Sequence, residues 1–259
     1  WGFGMPRFAV IGDVHSAWDL LDAVLEVLRP NAESLAAILL VGDLARGLGY
    51  YTHPPQDRRD KYLVALAEVL SRVRSLERPV LWVPGNHDLP RITVEEEARF
   101  APGMFGGNVD GDAVTIEGVR IHGLGGAGPD RFGFPYEWGD EDVRQRIARE
   151  ASYQADILLC HAPPLGTPLD LMHRGEHVGS AALRELLDMK GQRGVFLCGH
   201  IHEAAGCVQI RDRLCLNAGS LGSPFARPQV AWVELDSTGA WTSCHTDLES
   251  GTSLDWQLK

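Results

Sequence analysis

Short apolar runs that break off at polar residues punctuate the first two hundred positions of the chain. F-A-V-I-G at 8–12 runs into Asp13-Val14-His15, and A-A-I-L-L-V at 36–41 runs into Gly42-Asp43. V-L-W-V at 80–83 ends in Pro84-Gly85-Asn86-His87-Asp88, I-L-L-C at 157–160 in His161-Ala162-Pro163-Pro164, and G-V-F-L-C at 194–198 in Gly199-His200-Ile201-His202-Glu203. Runs of this length between glycine, proline and acidic residues predict buried strands. Between them the period changes to that of a helix. The stretch 18–29 is amphipathic, with Ser16 placed to cap it and Asp19 three residues on. Tyr62, Leu66, Val69, Leu70 and Val73 line one face of a second helix, and 181–189 predicts a third. Near-continuous apolar strands alternating with helices predict an α/β sheet covered on both faces. At the chain's end, 214–217, 230–235 and 241–246 read as strands joined by short loops in an antiparallel meander. No low-complexity linker or shift in composition divides residues 1–259, which therefore read as one domain. Trp1-Gly2-Phe3-Gly4 precede Met5, which reads as the native start behind an added remnant.

Composition narrows the class. A chain of 259 residues with 44% hydrophobic and 23% charged residues is ordinary for a globular protein and long enough for a full core. No apolar run approaches the ~20 residues that cross a bilayer, so no membrane partner is expected. No basic segment followed by an apolar one opens the chain, and its five cysteines are scattered without a C-x-x-C. Both point to reduced thiols in a cytoplasm. The formal net charge of -11 disfavours a nucleic-acid polymer as partner, because binding a phosphate backbone demands basic patches. Carboxylates gathered around cations and a merely soluble surface explain that acidity equally well.

The strand ends carry the chemistry. Residues i and i+2 of a strand share a face, so His200 and His202 aim two imidazoles at nearly one place. Charged, they repel; neutral and dry, each needs a polar partner. A metal ion meets both demands. Taken alone, an H-x-H pair describes surface histidines as well as ligands. Five successive strand ends decide between the readings: Asp13 with His15, Asp43, Asn86 with His87, His161, and His200 with His202. Ligands of open α/β sheets bind outside the carboxyl ends of the strands. Two aspartates in such a cluster cost several kcal/mol per desolvated charge unless a cation offsets them. Oxygen and nitrogen donors without a thiolate suit manganese, the first expectation, and also iron, zinc or nickel.

In this order the motifs resemble the signature of the calcineurin-like metallophosphoesterases, D-x-H, G-D, G-N-H-[DE], H and G-H-x-H, over about residues 7 to 236. The resemblance implies a four-layer αββα sandwich of two mixed β-sheets flanked by helices. It also implies two divalent metal ions. Asp13, His15, Asp43 and His202 would hold one; Asp43, Asn86, His161 and His200 would hold the other, with Asp43 as the bridge. One carboxylate can serve two ions ~3.5–4 Å apart, and a water between them becomes a nucleophile at neutral pH. His87, one residue past a ligand, is implied as the general acid that faces the leaving group. The chain departs from the protein serine/threonine phosphatase branch. Gly42-Asp43-Leu44-Ala45-Arg46-Gly47 stands where that branch has G-D-x-V-D-R-G, and the aspartate that there orients the catalytic histidine has no counterpart. The segments at 161–166 and 198–204 are more similar to a phosphodiesterase-like bacterial branch.

The expected function is therefore hydrolysis of small phosphodiesters, cyclic nucleotides among them. A diester carries one negative charge where a monoester dianion carries two, and Arg46 is the only fixed cation in the motif segments. Alternatives are a phosphomonoesterase, a DNA nuclease, which the acidity disfavours, and a non-catalytic scaffold. A scaffold would be expected to have lost ligands, and this chain keeps them all. Arg46 itself can bind substrate phosphate or pair with an acidic neighbour. Cys160 and Cys198 read as buried small hydrophobes. His122 precedes a glycine-rich turn that lacks G-x-G-x-x-G spacing. The segment 162–179, with His173, Arg174 and His177, reads as a rim or lid over the site. Asn217-Ala218-Gly219-Ser220 reads as a turn after a strand, since no G-x-S-x-G surrounds it.

Overall fold

Strands with apolar side chains on both faces need two coverings, and in this chain the coverings differ. The computed structural model describes residues 5–129, 132–149, 155–189, 191, 193–223, 227–248 and 253–257; the proposed remnant at 1–4 lies outside them. Three strands, β1 (Arg7–Ile11), β2 (Leu35–Leu40) and β3 (Val80–Trp82), run parallel. On the far side of β1 an antiparallel meander of β10 (Gln229–Leu235), β11 (Trp241–Asp247) and β12 (Ser253–Gln257) completes a six-stranded sheet. The second six-stranded sheet runs β4 (Ala113–Ile116), β5 (Val119–Leu124), β6 (Ile157–Cys160), β7 (Arg193–Cys198), β9 (Asp212–Asn217), β8 (Gly206–Ile210). Its four inner strands are parallel and its two edges antiparallel.

The period of two sorts side chains between layers. Phe8 and Val10 of β1 and Leu39 of β2 face inward to meet Ile121, Leu159, Val195 and Leu216 of the second sheet. Ala9, Ile11, Ile38 and Leu40 face outward, under α1 (Trp18–Leu28) and α2 (Gln56–Arg74), whose apolar stripes include Leu21, Leu25, Tyr62, Leu66 and Val73. On the other flank Leu158, Phe196 and Cys215 pack against Val143 of α4 (Asp140–Arg149) and Leu183 and Leu186 of α5 (Ala181–Asp188). The result is the four-layer helix–sheet–sheet–helix sandwich of two mixed sheets that the resemblance implied. A fifth helix, α3 (Val94–Phe100), opens on a capping box between Thr93 and Glu96 and is tied to α2 by the two-pronged Arg59–Glu96 pair.

Both faces of each sheet are covered as expected, by helices outside and by the other sheet inside. Two expectations need correction. The run at 214–217 does not join the terminal meander. It lies in β9, parallel to β7 and antiparallel to β8, a hairpin that the sequence reading missed. Ser16 does not cap α1: the N-cap residue is Ala17, and the Ser16 hydroxyl accepts instead from the backbone N–H of Arg46 at 3.0 Å. That bond joins the loop after β1 to the loop after β2, so the serine braces the site.

Candidate metal centre

Every parallel strand of the first sheet, and β6 and β7 of the second, deliver their carboxyl ends to one edge of the sandwich. There Asp13, His15, Asp43, Asn86 and His161 are buried, with His87, His200 and His202 partly covered. The backbone is bent to reach this place. His15, Asp43 and His200 all have positive φ, at 48°, 50° and 66°. Each such conformation costs a non-glycine residue of order 1–3 kcal/mol and persists where the surroundings impose it. The motif glycines give the needed clearance: a Cβ on Gly85 would lie 2.1 Å from Asp43 Oδ1, and one on Gly199 2.2 Å from Asp13 Oδ1.

Lone pairs converge on the centre. His202 Nε2 lies 3.0 Å from Asp13 Oδ2 and 3.3 Å from His15 Nε2. Asp43 Oδ2 lies 3.7 Å from His15 Nε2, 3.6 Å from His161 Nε2 and 4.0 Å from His87 Nε2. His161 donates from Nδ1 to the carbonyl of Val41 at 2.8 Å. Its Nε2 faces Asn86 Oδ1 at 3.0 Å. In the neutral ring these are two lone pairs side by side, which a cation between them satisfies, so this donor set fits a metal ion. Two clusters of potential ligand atoms result, Asp13–His15–His202 and Asp13–Asp43–His161. The structure thus brings together all seven residues expected as ligands. His200 stands at the margin, its ring 5.0 Å from that of His161 and outside both clusters. Asp13 belongs to both clusters, while Asp43 reaches both through its Oδ2.

The electrostatics keep these groups ready for a cation. Burial raises the carboxyl pKa of Asp13 and Asp43, but the histidines around them, His161 foremost, outweigh it and hold both below the usual range. Burial lowers His15, and burial followed by the neighbouring His161 pushes His200 down to about 3. Neutral imidazoles can ligate; protonated ones cannot. At His202 burial works downward, yet the hydrogen bond to Asp13 raises it.

Three features had no clear signal in the sequence. Asp88 turns inward and accepts from the N–H groups of Leu44, Ala45 and Gly85, locking the loops after β2 and β3 together. Burial, then the charge of Asp43, push its pKa up to about 7. Phe134 packs on His87 with ring centroids 4.0 Å apart and on Tyr50 at 4.8 Å. Glu137 fixes that phenylalanine's loop, its Oε2 accepting from the N–H groups of Phe132, Gly133 and Phe134. His87 is also held by its own N–H, which donates to Asp43 Oδ1 at 2.8 Å. An aromatic face and a backbone bond thus hold His87. Only Asp88 lay inside a motif, and nothing in the motif tells which way it points.

The remaining expectations fall into place. Arg46 is exposed, and its Nη2 donates to the carbonyl of Gly222 at 2.8 Å instead of to a carboxylate. Cys160 and Cys198 are buried, and burial pushes both thiols well above their ordinary pKa. They are packing residues. Asn217 closes a turn, as expected, with its Oδ1 accepting from Gly219 N–H. It also ties the site loops: its Nδ2 donates to the carbonyls of Leu169 and Ile201. The 162–179 segment is more ordered than a simple rim, with a 3-10 turn at Pro168–Asp170 closed by a Thr167–Asp170 capping box. No helix among the described residues is long and apolar enough to cross a membrane.

Comparison with known proteins agrees with this geometry. Residues 6–204 match the model of the calcineurin-like phosphoesterase family. An uncharacterized protein of Methanocaldococcus jannaschii is 29% identical over 156 residues, which span 58% of this chain and 69% of that one. The 3',5'-cyclic adenosine monophosphate phosphodiesterase CpdA of Escherichia coli is 25% identical over 208 residues, 78% of this chain and 66% of that one. This chain therefore spans about two thirds of the length of both. Among solved structures, a dimetal phosphatase from Danio rerio superposes with a TM-score of 0.64 at 13% identity, covering 99% of this chain and 100% of that one, a likeness of fold alone.

Proposed function

The chain belongs to the calcineurin-like phosphoesterases, and from that premise we propose that it hydrolyses small phosphodiesters, cyclic nucleotides among them, with two divalent metal ions. The observation that carries this reading is Asp43 Oδ2, 3.7 Å from His15 Nε2 and 3.6 Å from His161 Nε2, one carboxylate oxygen between two groups of donors. Asp13, His15, Asp43 and His202 are the residues we assign to one ion, and Asp43, Asn86, His161 and His200 to the other. When bound, such ions supply the positive charge that activates a water and neutralises the phosphoryl oxygens during in-line displacement. Manganese suits the donors, as do iron, zinc or nickel.

The protein's own groups supply the rest. His87, wedged between Phe134 and Asp43, gives its proton to the departing alkoxide. Arg46, steadied by the Gly222 carbonyl, contacts a phosphate oxygen. Arg46 as the one cation of the motif segments and a net charge of -11 favour the singly charged diester over a monoester dianion. The similarity to the cyclic AMP phosphodiesterase of E. coli supports the same class. Five free cysteines fit a reducing compartment, the cytoplasm.

A matrix of metals against substrates tests the proposal on the purified protein, using an aryl diester, an aryl monoester, a cyclic nucleotide and single- and double-stranded DNA. Metal-dependent turnover highest on the small diesters is expected. Preferred cleavage of DNA would assign a nuclease, and metal binding without turnover a scaffold.

A further inference from the structure

Two cavities open beside the metal centre. One, of about 500 Å³, is lined by His15, Arg46, Tyr50, His87 and His202. The other, of about 530 Å³, begins at His200 and is walled by Phe132, Trp138, Met172, His177 and Ile201. Each falls within the ~300–1,000 Å³ range of small-molecule sites. The first contains the proton donor and the arginine, so it belongs to the bond that breaks. The second adjoins the same metal centre and contains neither.

Its wall is specifically built. Asp170 is fully buried, at 0% exposure, and accepts from the N–H groups of Gly166 at 3.0 Å, Thr167 at 2.8 Å and Gly179 at 2.9 Å. Its fourth partner is His177 Nδ1 at 2.7 Å. Burial opposes the charge on Asp170, but the bond to His177 and the three backbone donors together hold its pKa below the usual range. Because the carboxylate can only accept, Nδ1 is the donor, which fixes the tautomer and leaves Nε2 as the ring's second polar atom. The His177 side chain is 42% exposed while its anchor is wholly enclosed. A desolvated carboxylate is an expensive brace for a surface ring unless that ring's orientation matters. Facing it are apolar side chains, of which Phe132 is 53% exposed. A polar atom of fixed direction over an apolar wall suits a flat group with one polar edge.

We propose that this second cavity receives the ester group that the reaction leaves on phosphorus, a planar aromatic or heterocyclic group, with His177 hydrogen-bonded to its polar edge. The inference rests on the diester reading above. Water oxygen bonds to phosphorus as the bond to the alkoxide in the His87 cavity breaks; that alkoxide takes the proton of His87, and the proton the water gives up restores the histidine. The second ester bond stays intact, and its substituent stays against Trp138 and Met172. A monoester has nothing to place there.

The test uses the metal-loaded protein and two diesters with one leaving group, bis(p-nitrophenyl) phosphate and methyl p-nitrophenyl phosphate. His177→Ala removes the polar contact, and Met172→Trp fills the cavity. Each variant should lose about tenfold in kcat/KM on the bis-aryl ester, mainly through KM, while staying within about twofold of wild type on the methyl ester. Equal loss on both substrates would mean that His177 only shapes the loop, and no loss on either would mean that the cavity is not used; both overturn the inference while leaving diester hydrolysis standing. If the wild-type protein cleaves neither diester with any metal, the reading of the function fails first and the inference falls with it.

Discussion

Asp43 is held by three different demands. Its Oδ1 accepts the backbone N–H of His87, its Oδ2 faces imidazoles, and its own backbone is left-handed at φ 50°. Replacing it by asparagine keeps the shape and removes the charge that two cations would share. Asp43→Asn should therefore lower the binding of both metals, whereas His202→Ala should mainly empty one. Metal analysis by mass spectrometry should show stoichiometry falling toward zero in the first and toward one in the second; unchanged stoichiometry in both would refute the ligand assignment. His87 is distinguished in another way. His87→Ala should retain its metals and lose rate, about 10²–10⁴-fold on alkyl esters, but much less on nitrophenyl esters, whose leaving group departs without a proton. Steady-state kinetics on the two ester types measure this, and equal loss on both would make His87 a binding group. At this scale the motif residues were legible because their order and spacing are specific. Phe134, Glu137 and the inward turn of Asp88 were not, since each acts through loop contacts that no local pattern encodes.

At the scale of elements, the strands that end in ligands were legible because they are apolar on both faces and end abruptly at polar residues. The hairpin of β8 and β9 was not. Its second strand carries Arg213, 1% exposed, whose guanidinium donates to the carbonyls of Val195 and Ala155, each at 3.1 Å. The run 214–217 read as a strand, but nothing in D-R-L-C-L-N tells that its neighbours are β7 and β8 instead of the terminal meander, and only the packed structure supplies the acceptors of the buried arginine. Two other buried polar groups yield a pH prediction. Burial first, then Arg146 and Arg120 against the opposing Asp110 and Asp112, push His122 on β5 down to about 4. Burial pushes His245 on β11 to about 4. Both lie below the ordinary 6.5, so the native protein binds these protons more weakly than the unfolded chain. Their stabilising effect is complete above pH 6.5 and is lost as pH falls through 4, at up to ~1.4 kcal/mol per pH unit for each histidine. Asp88, raised to about 7, titrates in the opposite sense, so urea midpoints should drop below pH 6.5 less steeply than the two histidines alone would give, and His245→Leu should flatten that decline by about one proton's worth. An identical slope in the variant would show that His245 is not the group titrating.

Across the whole molecule, the sandwich joins ligands that the chain holds far apart. The first sheet contributes Asp13, His15, Asp43 and Asn86, and the second contributes His161, His200 and His202, so the centre sits where the two sheets meet. The residue pattern alone indicated a sheet covered on both faces; that a second sheet is one of the coverings came from the resemblance, because apolar periodicity does not distinguish a helix from a strand as the neighbour. The acidity of the chain then bears on substrate choice, with Arg46, among the described residues, lining the cavity beside His15, His87 and His202. The most direct test of the central claim is kcat/KM for bis(p-nitrophenyl) phosphate and p-nitrophenyl phosphate, measured on metal-stripped protein and after reconstitution with the best divalent metal. The account predicts no turnover without metal and, with it, a diester preference of about tenfold or more, equivalent to ~1.4 kcal/mol. Turnover that survives metal removal, or a clear preference for the monoester, would contradict it.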